Sequence, residues 1–501
     1  MKKRTYSLLA IAATLLVIFV MPNAYATDTA EVKLDDNQKV IIDKQVPGNK
    51  ATPIGKSGFY SITVGDLRAS NTSDVNISPI LDYRATMTVN DPLEPQQYLT
   101  LLDAETAWDE MADSTGQVVA VIDGGFALNH EDLTGRWTTN LGEMGETTLE
   151  GAAPNCTSRV LTLDKSCNNL DDDENGYFDD WRGWDFSQND NDPLVGTTNP
   201  TGDGTEHGTI VAGLIGVDSN NALGAASLNW QSKILPLQVM SDDGGATTLQ
   251  VAEAIDYAIG QNVSVINISL GSLENDPTID SLLIIAKEAG IVVVAAAGNC
   301  GGDSYYMNGC DYEGQMLYPA FSGDAIAVGA SMLDDDLAEF SSRGSALDVV
   351  APGYGNMVSS YYMSTNAISA YSDDIYGTSF ATPIVSGLMA ILKSQWPTAT
   401  VDQLRAVLVD GALKTSGMSG ELFTTGWGFG RIQPVRSIQL AEACSAITLA
   451  SDINCDGNVN LSDLSSLSSQ WQMPYTGRTD GNFSGLVDLS DLSLLASQWG
   501  Q

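Results

Sequence analysis

Histidine is nearly absent: the 501 residues contain two, His130 and His207. Any chemistry that needs an imidazole base must use one of them. Basic residues are scarce as well. Lys and Arg number 23 against 63 Asp and Glu, a formal charge of −40. That imbalance argues against nucleic acid or an anionic membrane as a partner. The six cysteines include no Cys-x-x-Cys pair, which speaks against a metal–thiolate site. Long apolar runs are missing beyond Ala26, so the mature chain is expected to have no membrane span. Residues 291–297 are apolar but too short to span, and read as a buried parallel strand.

The chain opens with Lys2-Lys3-Arg4, then an apolar run from Leu8 to Met21, then Ala24-Tyr25-Ala26. This pattern reads as a secretory signal peptide over 1–26 and predicts a secreted, extracellular product. Cleavage there removes three basic residues and leaves 20 against 63, a charge of −43. Cysteines in an exported chain favour disulfides. Six of them admit fifteen pairings. Local spacing favours Cys156 with Cys167, Cys300 with Cys310, and Cys444 with Cys455. Residues 27–90 are polar, with short strand-like runs such as Phe59–Val64, and read as a propeptide or a spacer.

From about residue 91 apolar strands alternate with helix-period segments. Strands are expected near 117–122, 233–240, 263–269, 291–297 and 325–330, and helices near 247–260, 278–289, 380–396 and 401–412. Such alternation implies an α/β fold, a doubly wound and mostly parallel sheet with helices on both faces. The expected domain runs over 91–442, followed by a linker at 443–451. Asp123 and Asn299 both follow strands, at the carboxyl edge where open α/β sheets place ligands.

The motif Gly377-Thr378-Ser379-Phe380-Ala381-Thr382-Pro383 puts a serine at a glycine-led turn before a long apolar helix. A helix N-terminus favours developing negative charge. Serine is a weak nucleophile and needs a base. His207, in His207-Gly208-Thr209, supplies one, and Asp123 ends the apolar run Val118–Ile122. The three residue types suit a Ser-His-Asp triad, which is defined by geometry rather than order. His130 lies close behind the Asp123 motif and reads as structural.

The order Asp, His, Ser and these local motifs resemble the subtilisin-like serine proteases over roughly residues 90–440. The resemblance implies a peptide hydrolase acting on polypeptide substrates. Asp123 would orient the imidazole, His207 would act as general base, and Ser379 would attack the scissile carbonyl. Asn299, in Ala297-Gly298-Asn299, matches the oxyanion donor, which would act together with the Ser379 backbone amide. Ser269, Leu270, Gly271 and Ala296 match residues that border the substrate, and Leu317 falls where a shallow pocket floor would lie. A protease fold without turnover, serving as a binding protein delivered to a scaffold, is the rival reading.

Between Asp123 and His207 lies Asp171-Asp172-Asp173-Glu174-Asn175-Gly176-Tyr177-Phe178-Asp179. Asp171, Asp173, Asn175 and Asp179 fall at positions 1, 3, 5 and 9 of a calcium loop, with Gly176 at the sharp turn. Position 12 is Arg182 rather than Glu, so the loop is not a complete EF-hand; the alternative is a solvated acidic loop. The C-terminal segment holds two copies of a related pattern, with Asp452 of the first aligned to Asp480 of the second. Oxygen ligands fall at Asp452, Asn454, Asp456, Asn460 and Asp463, then at Asp480, Asn482, Ser484, Asp488 and Asp491. Each loop leads into a short amphipathic helix, and Asp replaces Glu at position 12. This arrangement over 452–501 resembles a dockerin. It implies Ca²⁺ as cofactor and a cohesin-type partner, with a calcium-stabilised tail or a sorting tag as alternatives. So few apolar residues should fold poorly without metal.

Overall fold

The computed structural model describes residues 89–93, 96–145 apart from 112, 164–194, 207–303 apart from 242 and 243, 309–363, 367–445, and parts of 452–469 and 487–499. Ahead of residue 89 it describes short strands only. Two compact units are present, Met1–Ala85 and Thr86–Gln501. The first contains an antiparallel sheet of Thr52–Pro53, Tyr60–Thr63, Lys39–Ile42 and Ile77–Pro79, in that order. Leu16–Ile18 pairs with Glu31–Lys33. The rest of the expected leader lies outside the described residues.

The second unit is built on an eight-stranded sheet among the described residues. Its strands are β1 (Val118–Asp123), β2 (Trp184–Asp185), β3 (Lys233–Gln238), β4 (Val265–Ile268), β5 (Val292–Ala296), β6 (Ile326–Met332), β7 (Val349–Met363) and β8 (Ala367–Tyr376). They lie in the order β8-β7-β6-β5-β4-β1-β3-β2. Every pairing is parallel except β7 with β8. Strand order reverses between β1 and β4, which opens a crevice at their carboxyl ends.

Side chains alternate across these strands and both faces are covered. Val119 and Val121 of β1 enter one core, Ala120 and Ile122 the other. That double burial explains the unbroken apolar runs. The first core is closed by α3 (His207–Gly216), α6 (Thr378–Gln395), α7 (Val401–Gly411) and α8 (Pro434–Ser445), with α1 (Gln97–Leu101) and α2 (Ala104–Glu110) beside them. The second is closed by α4 (Thr248–Gly260) and α5 (Pro277–Glu288). Capping boxes start α4 at Thr247 with Gln250, and α7 at Thr400 with Gln403. Among the described residues no helix is long and apolar enough to cross a membrane.

The expected strands and helices of this unit are present within a few residues. The β7–β8 hairpin, α3 and α8 are additions that the sequence pattern does not announce. Cys300 is bonded to Cys310 and Cys444 to Cys455, as local spacing favours. Cys167 is disulfide-bonded, and Cys156 lies outside the described residues.

Candidate active site

Asp123 is the last residue of β1 and is fully buried. Its Oδ1 accepts the Gly124 amide at 2.6 Å and faces Nδ1 of His207 at 2.7 Å. A carboxylate only accepts, so Nδ1 carries the proton and Nε2 presents its lone pair. The two residues are 84 apart in sequence. His207 opens α3, and its neighbour Gly208 lets the helix approach the end of β1. A Cβ at Gly208 would sit 2.7 Å from the Gly124 carbonyl oxygen.

Ser379 occupies the first turn of α6, one residue after Thr378. Gly377, at φ +147°, turns the chain out of β8 into that helix. The Ser379 hydroxyl donates to the Ser269 carbonyl at 3.0 Å. Phe380 packs on the His207 ring with centroids 5.1 Å apart, which brings the start of α6 against the imidazole. Asn299 follows β5 and Gly298. Its Oδ1 accepts from the Thr378 amide at 2.9 Å and the Thr378 hydroxyl at 3.0 Å. An amide N–H can only donate, so the orientation of the Asn299 amide is fixed and its Nδ2 is the donor.

One further contact follows from Pro383. Proline has no N–H, so the Ser379 carbonyl lacks its usual donor four residues on. Ser269 Oγ donates to that carbonyl at 2.8 Å. Ser269 and Ser379 thus hold each other through reciprocal hydroxyl–carbonyl bonds.

The segment after β4 carries Ser269, Leu270 and Gly271. Leu270 and Gly271 line a pocket of about 240 Å³ with Val251, Ile279 and Tyr318. Leu317 packs between Gly271 and Gly298: a Cβ at either glycine would fall within 2.8 Å of it. Ala296 is buried in β5 at 4% exposure. Serine, histidine, carboxylate and a fixed amide therefore converge on one sheet edge, an arrangement suited to acyl transfer.

The Subtilase family profile matches residues 114–428. The chain belongs to the subtilase family. It is 31% identical over 354 residues to thermitase of Thermoactinomyces vulgaris, covering 70% of this chain and 99% of that one. It is 31% identical over 396 residues to a thermophilic serine proteinase of Bacillus sp. (strain AK1), covering 76% and 79%. A solved protease of Pseudoalteromonas arctica superposes with a TM-score of 0.51 at 25% identity, covering 71% of this chain and all of that one. The protein is a subtilisin-like serine endopeptidase.

His130 of this subtilase is buried and packs edge-on against Tyr371, with centroids 5.1 Å apart. Its Nδ1 accepts the Asp132 amide at 3.2 Å. The sequence reading gives Thr378 and Pro383 no role of their own. The Gly-Thr-Ser-x-x-x-Pro spacing carries the signal, since a proline four residues after the serine always removes that donor.

The acidic loop is compact. Asp171 accepts the amides of Asn175 at 3.0 Å and Gly176 at 2.7 Å. Asp173 accepts the Asn175 amide at 3.2 Å and the Asn140 side chain at 2.8 Å. The Asn175 side-chain oxygen accepts the Tyr177 amide, and both Asp179 oxygens accept the Asn169 amide. Burial raises the Asp180 carboxyl, which accepts from Tyr257 at 2.5 Å. In the C-terminal segment, helices Leu461–Ser469 and Leu489–Ser497 begin at equivalent positions of the two sequence copies. Asp463 and Asp491 are buried and turn back to accept the amides of Ile453 and Asn460, and of Asp488. Asp452 is buried. Asn454, Asp456, Asp480, Asn482 and Ser484 lie outside the described residues.

Proposed function

We propose that this subtilase is a secreted endopeptidase in which Asp123, His207 and Ser379 form the triad. Asn299 and the Ser379 backbone amide form the oxyanion hole. The 2.7 Å Asp123–His207 contact carries this reading, because it joins two distant motifs at the edge where α6 presents Ser379. As Ser379 Oγ bonds to the scissile carbon, its proton passes to His207 Nε2. The buried Asp123 carboxylate stabilises the imidazolium that results. The carbonyl oxygen gains charge against the Asn299 Nδ2 donor and the first-turn amide of α6. The imidazolium then protonates the leaving amine as the C–N bond breaks. Water, deprotonated by the same nitrogen, then attacks the acyl carbon, and the imidazolium returns the proton to Ser379 Oγ as the C–O bond to the serine breaks.

Ser269, Leu270, Gly271 and Ala296 border the bound peptide, with Leu317 beneath it. The pocket between Leu270 and Tyr318 has an apolar wall of Val251, Leu270 and Ile279 and a polar rim that includes Glu274, Asn275 and Asp276, room for one substrate side chain. The leader at 1–26 supports export, and a related protease of Natrialba magadii is named extracellular. Residues 27–90 act as propeptide or spacer.

Calcium fits the donors of both acidic regions, since all are hard oxygens. In the loop of Asp171, Asp173, Asn175 and Asp179, a cation would be held by carboxylates that backbone amides already position. The 452–501 module would hold calcium in its two loops and dock to a cohesin-type partner. The aligned repeat and the buried Asp463 and Asp491 support this. The bound ions supply charge neutralisation and loop rigidity, and no bond-making step passes through them.

The experiment is fluorophosphonate labelling and casein hydrolysis by the matured protein, beside Ser379→Ala, with calcium and with chelator. Labelling and hydrolysis that vanish in the variant support the triad. A folded, matured wild type that takes no label would overturn it.

A further inference from the structure

We propose that Glu143, which lies well upstream of Asp171 in sequence, supplies the carboxylate that the acidic loop lacks at its twelfth position, completing a calcium site with Asp171 and Asp173. The proposal rests on the calcium reading of that loop and changes its ligand set. One oxygen from each of Glu143, Asp171 and Asp173 lies within 4.8 Å of the others, so the three groups reach a single ion.

Glu143 itself points to a ligand. Its side chain is fully buried, at 0% exposure. Oε1 accepts the amides of Asp172 at 2.6 Å and Asp173 at 3.1 Å, which ties Glu143 to the loop backbone. Oε2 is buried and has no hydrogen-bond partner among the described residues. A buried carboxylate oxygen without a donor is costly unless a cation or a proton takes it up. The segment carrying Glu143 is held for this purpose. Asn140 caps its turn by accepting the Gly142 amide at 3.0 Å and donates to Asp173 at 2.8 Å. Gly142 lies against Asp173, where a Cβ would meet the carboxylate at 2.5 Å.

Arg182, at the twelfth position, is cationic and pairs with Asp192 at 2.5 Å. Asp179 accepts the Asn169 amide through both oxygens and lies outside the three-carboxylate group. Asp173 is exposed and Asp171 half-buried, so two of the three carboxylates are reachable from solvent. Oxygen donors of this kind select calcium-class cations over softer metals.

The test uses full-length protein carrying Ser379→Ala to prevent autolysis. Bound calcium is counted after gel filtration, and affinity is titrated calorimetrically with Ca²⁺ alone. Glu143→Gln keeps an acceptor for the two amides, so the loop should still form. The expected result is loss of one ion per chain, or at least about ten-fold weaker binding at one site. The thermal midpoint in chelator should match that of the parent. Asp173→Asn should lose the same ion, and Asp179→Asn should retain it. If Asp173→Asn loses an ion and Glu143→Gln does not, Glu143 is not a ligand, though the loop still binds calcium. If none of these variants changes the calcium content, both the site and the loop reading fall.

Discussion

Replacing Ser269 with alanine removes one hydroxyl and strands one buried and one part-buried group. The Ser379 carbonyl loses the 2.8 Å donor that substitutes for the missing Pro383 N–H. The Asn267 side-chain amide, fully buried, loses its 3.0 Å acceptor. A buried group left unsatisfied costs about 1–3 kcal/mol and a part-buried one less, so Ser269→Ala should destabilise by roughly 2–4 kcal/mol. The origin of half this cost can be isolated. Pro383→Ala restores an N–H four residues after Ser379, where it can donate to the same carbonyl. In that background only the Asn267 loss remains. A double-mutant cycle should therefore show coupling of about 1 kcal/mol or more, well above the ~0.5 kcal/mol scatter of independent sites. The assay is calorimetric unfolding of Ser379→Ala protein in calcium at a fixed scan rate. Each kcal/mol is worth about 2–4 °C or slightly less in a unit this large. Additive effects of the two substitutions would refute the idea that Ser269 replaces the proline's missing donor.

Asn299→Ala should lower kcat by about 10²–10³-fold with little change in KM, since its donor acts on charge that develops only in the transition state; steady-state kinetics on a peptide amide check this. Asp123→Asn should retain the fold but lower kcat by about 10⁴-fold through the wrong imidazole tautomer, read against an unchanged circular dichroism spectrum. Arg405 grips Asp348 through two 2.7 Å bonds, with both residues buried. Asp348→Ala removes the buried ion pair, leaves the guanidinium its bond to the Gly323 carbonyl, and should cost about 3–5 kcal/mol, measured as a fall in thermal midpoint. Chelation should melt the helices Leu461–Ser469 and Leu489–Ser497 before the catalytic core, seen as early loss of amide protection there by hydrogen exchange.

The sequence by itself determined the β1, β3, β4, β5 and β6 strands and the α4–α7 helices. Their apolar runs are long and their ends are marked by polar motif residues. It also offered the residue types, because Asp123, Asn299 and Ser379 sit at strand or helix ends that local patterns reveal, and His207 stands out as one of two histidines in the chain. Helix α3 escapes notice because nine of its ten residues are buried on every side, which erases the 3.6-residue period. The β7–β8 hairpin is obscured by Pro352, Gly353 and Gly355, which read as breakers. The sheet accommodates them with a register shift opposite Ser331 and Met332. Tertiary structure alone decided which distant groups meet. Layer packing laid α6 against β4, so that Ser269 could brace Ser379 across 110 residues. Loop packing carried Glu143 to Asp171 and Asp173. Such contacts follow from how layers stack, and no local periodicity encodes them.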